Sequence, residues 1–190
     1  MSRDQVMSRV DALVDALIDG VTARPAQVRG LTAEQVREVE RSQPGPLGAG
    51  YRRFLERAGA GAGHFLQGSD VFYPRLLELG EGIRELLAEN KLRFTLTDLD
   101  RVILMHQGYE FDLLRGDGPD PEVWSYTEGG PEPAPSYPSF TAWLEAQVAA
   151  ETEAWARLVP WYEEERRKPE GERRVWFWRR QPDGTYRDEF

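Results

Sequence analysis

The spacing of apolar positions divides the chain into a helical first third, a strand-rich middle and a long closing helix. Val6, Val10, Leu13, Val14, Leu17, Ile18 and Val21 recur at helical intervals after Ser2 and Gln5, a capping-box pair, and predict an amphipathic helix. A second capping box, Thr32 with Gln35, is flanked by Leu31 and Val36 in the two positions of a hydrophobic staple. The helix it opens should run from Ala33 to about Arg41. It should break at Gln43-Pro44-Gly45-Pro46, where proline removes donors and glycine permits a turn. Tyr51, Phe54, Leu55 and Ala58 mark a third helix that stops at Gly59.

A candidate strand lies within Phe65–Tyr73, and Pro74 suits the first turn of a helix whose buried stripe is Leu76, Leu79, Ile83, Leu86 and Leu87. From Leu92 the period becomes two, with Leu92, Phe94 and Leu96 alternating with Arg93 and Thr95. Val102–Met105 is a further apolar run. Tyr109, Phe111 and Leu113 alternate with Glu110 and Asp112, and Val123, Trp124 and Tyr126 follow, which predicts an antiparallel meander. Gly129–Pro138 reads as a loop, and Phe140, Trp143, Leu144, Val148, Trp155 and Leu158 mark the closing helix. Val175-Trp176-Phe177-Trp178, the turn Pro182-Asp183-Gly184 and Tyr186 read as a terminal hairpin. The expected fold is α+β: a short antiparallel sheet flanked by helices over residues 31–160, a helical extension over 1–30, and a C-terminal hairpin over 161–190 packed on the same domain. Phe54, Phe94, Phe111 and Trp143 are expected in its core.

Charge narrows the partners. A formal net charge of -9 repels phosphate backbones and steers the chain toward basic surfaces, so nucleic acid is not expected as a ligand. Cysteine is absent, which removes disulfides and thiolate chemistry, and no apolar run approaches the ~20 residues a membrane span needs. A cytoplasmic protein is expected. His64 and His106 are too few for a three-histidine zinc site, and His106 reads as a turn or core residue. Gly59, Gly61 and Gly63 follow a helix instead of a strand and read as a flexible connector, not a phosphate cradle.

The acids Asp98, Asp100, Glu110, Asp112, Asp117, Asp120 and Glu122 fit no calcium-loop spacing, since Asp98-Leu99-Asp100 lacks the acid and glycine that should follow. Alternation places Glu110 and Asp112 on a solvent face, with Tyr109 and Phe111 pointing inward. The acids form either an ordinary solvated face or, with Tyr109, Trp124 and Tyr126, a partner-binding surface. No catalytic residue, metal ligand or cofactor is assigned. The arginines at 173, 174, 179 and 180 flank Trp176 and Trp178, but residues 161–190 hold equal numbers of acids and bases, so a core cover or a homodimer contact is favoured there over base stacking.

Three blocks carry a resemblance. Leu31-Thr32-Ala33-Glu34-Gln35-Val36 with Glu40, Pro46-Leu47 and Tyr51-Arg52-Arg53-Phe54-Leu55 form the first. Leu104-Met105-His106-Gln107-Gly108-Tyr109-Glu110-Phe111 and Asp120-Pro121-Glu122-Val123-Trp124-Ser125-Tyr126 form the second, with Glu122 where the pattern has a second proline. Ser139-Phe140-Thr141-Ala142-Trp143-Leu144 is the third. In this order they resemble the SUKH superfamily, which includes a yeast cell-wall-assembly regulator and many bacterial immunity proteins. The resemblance implies a non-enzymatic protein-binding module that neutralises a toxin, often a nuclease; the net acidity makes a basic toxin domain the expected partner, and the C-terminal hairpin leaves a monomer or a homodimer open. A cytoplasmic regulatory scaffold is the alternative, and a hydrolase or metal enzyme using the acidic cluster is the third reading.

Overall fold

The computed structural model describes residues 1–20, 22–174, 178–180 and 186–188, the last two stretches as paired backbone strands. In chain order the elements are α1 (Arg3–Asp19), β1 (Val28–Arg29), α2 (Ala33–Ser42), α3 (Ala49–Ala58), β2 (Gly61–Ala62), β3 (Ser69–Asp70) and α4 (Leu79–Glu89). They continue with β4 (Asp100–His106), β5 (Glu110–Arg115), β6 (Glu122–Thr127), β7 (Ala134–Tyr137), α5 (Phe140–Arg167), β8 (Trp178–Arg180) and β9 (Tyr186–Asp188). The fold is α+β. Its main sheet is antiparallel in the order β3-β4-β5-β6-β7, and β1-β2 and β8-β9 form two separate ribbons.

Both predicted capping boxes form. Ser2 and Gln5 exchange hydrogen bonds at the start of α1, and Thr32 and Gln35 do the same for α2. The buried stripe of α1, Val6, Val10, Leu13, Val14 and Leu17, packs on α3 and α5. Polar contacts set that packing in register: Arg53 makes a two-pronged bond to Asp11 at 2.8 and 3.1 Å, and Arg57 reaches Asp11 and Asp15 at 2.8 and 2.7 Å.

The sheet is covered on both faces. Residues 104, 112 and 125 lie side by side across β4, β5 and β6 on the face where Trp143 of α5 bonds to Asp112. Phe111, Tyr126 and Met105 occupy the opposite face, where α4 approaches so closely that a Cβ on Gly82 would lie 3.3 Å from the Met105 thioether.

One buried charge joins helix to sheet. Arg101 in β4 is 1% exposed and donates to the carbonyls of Val39, Glu40, Gln43 and Gly45 at 2.6 to 2.8 Å. Those of Val39 and Glu40 belong to the last turn of α2, which the helix cannot pair internally and where its dipole is negative, and those of Gln43 and Gly45 follow the helix. Gln43 completes the join. Its side-chain amide accepts from the Val102 N–H at 2.8 Å and donates to the Val102 carbonyl at 3.0 Å, as a neighbouring strand would. Gly45 permits this approach, because a Cβ there would stand 2.2 Å from the Asp100 carbonyl oxygen.

Several expectations change. Leu92–Leu96 keeps its alternation, with 92, 94 and 96 half-buried, yet forms no strand; Glu132 accepts the N–H groups of Arg93 and Phe94 in place of a strand partner. Phe94 is therefore half-buried, whereas Phe54, Phe111 and Trp143 are core. Only Ser69–Asp70 of the 65–73 stretch is a strand, and the loop predicted at 129–138 contains β7. Pro74 precedes a 3-10 turn at Arg75–Leu77, and α4 opens only at Leu79. The predicted connector is paired backbone, since Gly61 and Ala62 form β2 against β1. The closing helix extends to Arg167 with Pro160 inside it. Strands β8 and β9 pair antiparallel as the hairpin reading requires, while Val21, Val175-Trp176-Phe177 and Pro182-Asp183-Gly184 lie outside the described residues.

Replacing Arg101 with Met should destabilise the protein by about 3–5 kcal/mol, because carbonyls buried with it lose their donors. Phe54→Ala and Trp143→Ala should cost about as much through cavity formation, and Phe94→Ala clearly less because water already reaches that ring. Urea denaturation midpoints of the four variants check the ranking.

Candidate functional site

The predicted partner residues separate into two groups at opposite ends of β5. From Glu110 to Arg115 the strand advances five residues, about 17 Å at strand rise, so the two groups are distinct surfaces.

At the Arg115 end, two turns are locked together. Arg115 donates to both oxygens of Asp100, at 2.6 and 2.7 Å, and Thr97 adds its N–H at 2.7 Å and its hydroxyl at 3.0 Å. The guanidinium lies over the rings of Phe94 and Trp124, 4.6 and 4.3 Å from their centres, so its charge is held between a carboxylate and two aromatic faces. Gly116 donates to the Leu99 carbonyl at 3.0 Å, which joins the turn before β4 to the turn after β5. Glu122 stands opposite Arg115 across the β5–β6 ladder and accepts from the Trp124 indole at 2.6 Å. On this base sit the exposed carboxylates of Asp98, Asp117 and Glu122, with Leu99 47% exposed among them. Asp120 is engaged with the closing helix instead, accepting from the N–H and hydroxyl of Thr141 at 2.9 and 2.5 Å, in the first turn of α5.

At the Glu110 end, a polar cleft of about 270 Å³ is lined by Ser69, His106, Glu110, Asp112 and Glu151. Asp112 is buried, accepting from the Trp143 indole at 2.8 Å and from the Ser125 hydroxyl. Burial raises its pKa against the opposing pull of those two bonds. Glu151 is raised by burial in the same way, with Trp155 and the Leu66 N–H opposing. His106 Nδ1 lies 2.8 Å from the Ser69 hydroxyl oxygen, and its ring meets Tyr109 edge-on. Asp100 behaves oppositely to Asp112. Burial alone would raise it, but the bonds from Arg115 and Thr97 and the Arg115 charge outweigh burial and lower its pKa.

The predicted alternation along β5 is thus reversed at two positions. Asp112 faces α5 and not solvent, and Tyr109, in the turn before the strand begins, is exposed. Tyr126 is buried against Phe111 and offers no contact surface. Asp100, Asp112 and Asp120 hold the fold together. Exposed acids remain at Asp98, Asp117 and Glu122, and half-buried Glu110 stands apart from them. Sequence reasoning missed Arg115 and Phe94. Arg115 ends an alternating strand, but only the register places it between an aromatic pair and a carboxylate from a preceding turn.

Among the described residues no set of acids and histidines is arranged to hold a metal ion, and no helix is long and apolar enough to cross a membrane. Residues of the three sequence blocks meet in space: Phe140 donates to the Pro121 carbonyl, and Tyr51 packs edge-on against Phe140. Compared with models of known families, with curated proteins and with solved structures, the chain has no match.

The two buried acids predict opposite pH responses. Asp100 titrates below its ordinary range, so its contribution is complete above about pH 4 and disappears as pH falls through its lowered value. Asp112 titrates above that range, so its contribution is present in acid and is lost as pH rises through its raised value. In urea melts from pH 3 to 8, Asp100→Asn should lose stability at neutral pH and flatten the acid limb. Asp112→Asn should remove the decline between mildly acidic and neutral pH.

Proposed function

We propose that this chain is a protein-binding module of immunity type, which neutralises a toxin domain by binding it and needs no catalytic centre of its own. The observation that carries the reading is the Arg115 end of the sheet. Three exposed carboxylates and an exposed leucine stand on a base whose own charges are already matched, which is how a recognition surface is pre-organised without being self-satisfied.

Charge and shape divide the work on such a surface. Asp98, Asp117 and Glu122 attract a basic partner at long range, and the protein's net charge of -9 adds to that field. Leu99 and the edge of Trp124 then supply contact area that excludes water and prolongs residence. Little conformational entropy is lost on binding, because the Asp100–Arg115 pair and the Gly116–Leu99 bond fix both turns beforehand. The order of SUKH-like blocks supports the same reading. Asp112 is committed to packing and not to a substrate, since each of its oxygens holds an internal donor.

A partner captured from native lysate and identified, or the product of an adjacent toxin-like reading frame, provides the test. Its association rate is measured with wild-type protein and with the triple variant Asp98→Asn, Asp117→Asn, Glu122→Gln, at low and physiological salt. The variant should associate about tenfold more slowly at low salt and lose most of the salt dependence, while its thermal midpoint stays near wild type because exposed charges contribute little to folding. Equal rates and equal salt dependence would remove this surface from the interface.

A further inference from the structure

A second cavity is lined by charge of the sign opposite to that of the acidic turns. It is a groove of about 500 Å³ between the segment after α1 and the last turns of α5. Its apolar lining comes from Ile18, Ala23, Pro25 and Val159. The cations are Arg24, Arg166 and Arg167, against one acid, Glu163, so the lining carries a net +2 in a protein whose total is -9. Several other arginines are tied to carboxylates, as Arg9, Arg37, Arg52, Arg53, Arg57 and Arg115 are. Among the described residues, neither Arg24 nor Arg167 has an ion-pair partner, although Glu163 lines the same groove.

The walls are built, not incidental. The His64 ring stacks on Trp155 with centres 4.0 Å apart, and the His64 N–H bonds to the Thr22 carbonyl, which fixes one side against α5. The bond from Gln27 back to Arg24 shapes the other side: Arg24 and Gln27 exchange main-chain and side-chain hydrogen bonds around Pro25. Trp155 in turn stacks on Tyr162 two turns further along the same helix, so the aromatic layer that begins at His64 continues along α5.

We propose that the groove binds a small organic anion, an apolar body bearing one carboxylate or phosphate head. Apolar walls select the body, and two exposed guanidiniums at the rim take the head through charge-assisted bonds. The volume lies within the range of small-molecule sites, and the charge contrast within an acidic protein excludes cations by repulsion as well as drawing anions. This site is independent of the protein-binding surface and stands or falls separately from it.

The test is a titration of the full chain followed by amide NMR shifts, with decanoate and decyl phosphate as probes and with decylammonium and inorganic phosphate as controls. One or both alkyl anions should saturate and move the amides of Ile18, Ala23, Gln27 and Val159, and which one binds more tightly identifies the head group. Arg24→Gln and Arg167→Gln should each weaken binding about tenfold, in line with loss of one charged hydrogen bond, with thermal midpoints unchanged since both side chains are exposed. Four results would overturn the proposal: no saturation by either alkyl anion, shifts centred elsewhere, affinities unaltered in both variants, or equally tight binding of decylammonium or of inorganic phosphate.

Discussion

Arg101 is a full charge withdrawn from water, and much of the arrangement around the sheet follows from where its five donors can be matched. Desolvating a guanidinium costs several kcal/mol, and no carboxylate bonds to this one. Instead four carbonyls at the end of α2 surround it, two of them beyond the last helical residue, at Gln43 and Gly45. That solution requires α2 to end where it does. It also requires the following turn to press against β4 closely enough that only glycine fits at position 45.

From this anchor the edge of β4 is closed. Strand β3 pairs only with Met105 and His106, and the Gln43 amide takes the place of a strand at Val102. An open edge there would be a template for unwanted pairing, and a single side chain, held by the same turn that feeds Arg101, removes it. Next to Arg101 in sequence, Asp100 is turned the other way and holds Arg115. Two adjacent charged residues at the start of β4 thus have opposite duties: one ties helix to sheet, and the other builds the base of the proposed recognition surface.

Covering the sheet on both faces has a functional consequence. Acids in the middle of the strands are consumed by packing, as Asp112 is by Trp143 and Ser125, so the charge available to a partner is displaced to the turns. Positive charge gathers around the last turns of α5, where Arg166 and Arg167 line the groove with Arg24. The molecule therefore presents acid at one end of the sheet and a basic, apolar-walled groove elsewhere, despite a net charge that suggests uniform acidity.

By itself the sequence determined the elements whose signals are local. Capping boxes at Ser2 and Thr32, the breaks around Pro44 and Pro46, the α1 and α4 stripes and the β5–β6 alternation each depend on residues within a few positions of one another, and α+β class follows from them. Periodicity also identified which face of β5 holds Phe111. What it left open is whether the other face meets water, because a strand covered on two sides carries the same alternating pattern as one covered on a single side when a buried acid finds donors on a distant helix. Tertiary structure alone decided that Asp112 lies under Trp143, that Leu92–Leu96 leans on the sheet without joining it, and that Arg101 spends its donors on α2. It decided too which acids stay exposed. The first three of those outcomes join residues between 31 and 62 positions apart, and hydrogen-bond matching of polar groups, not local propensity, selects among them.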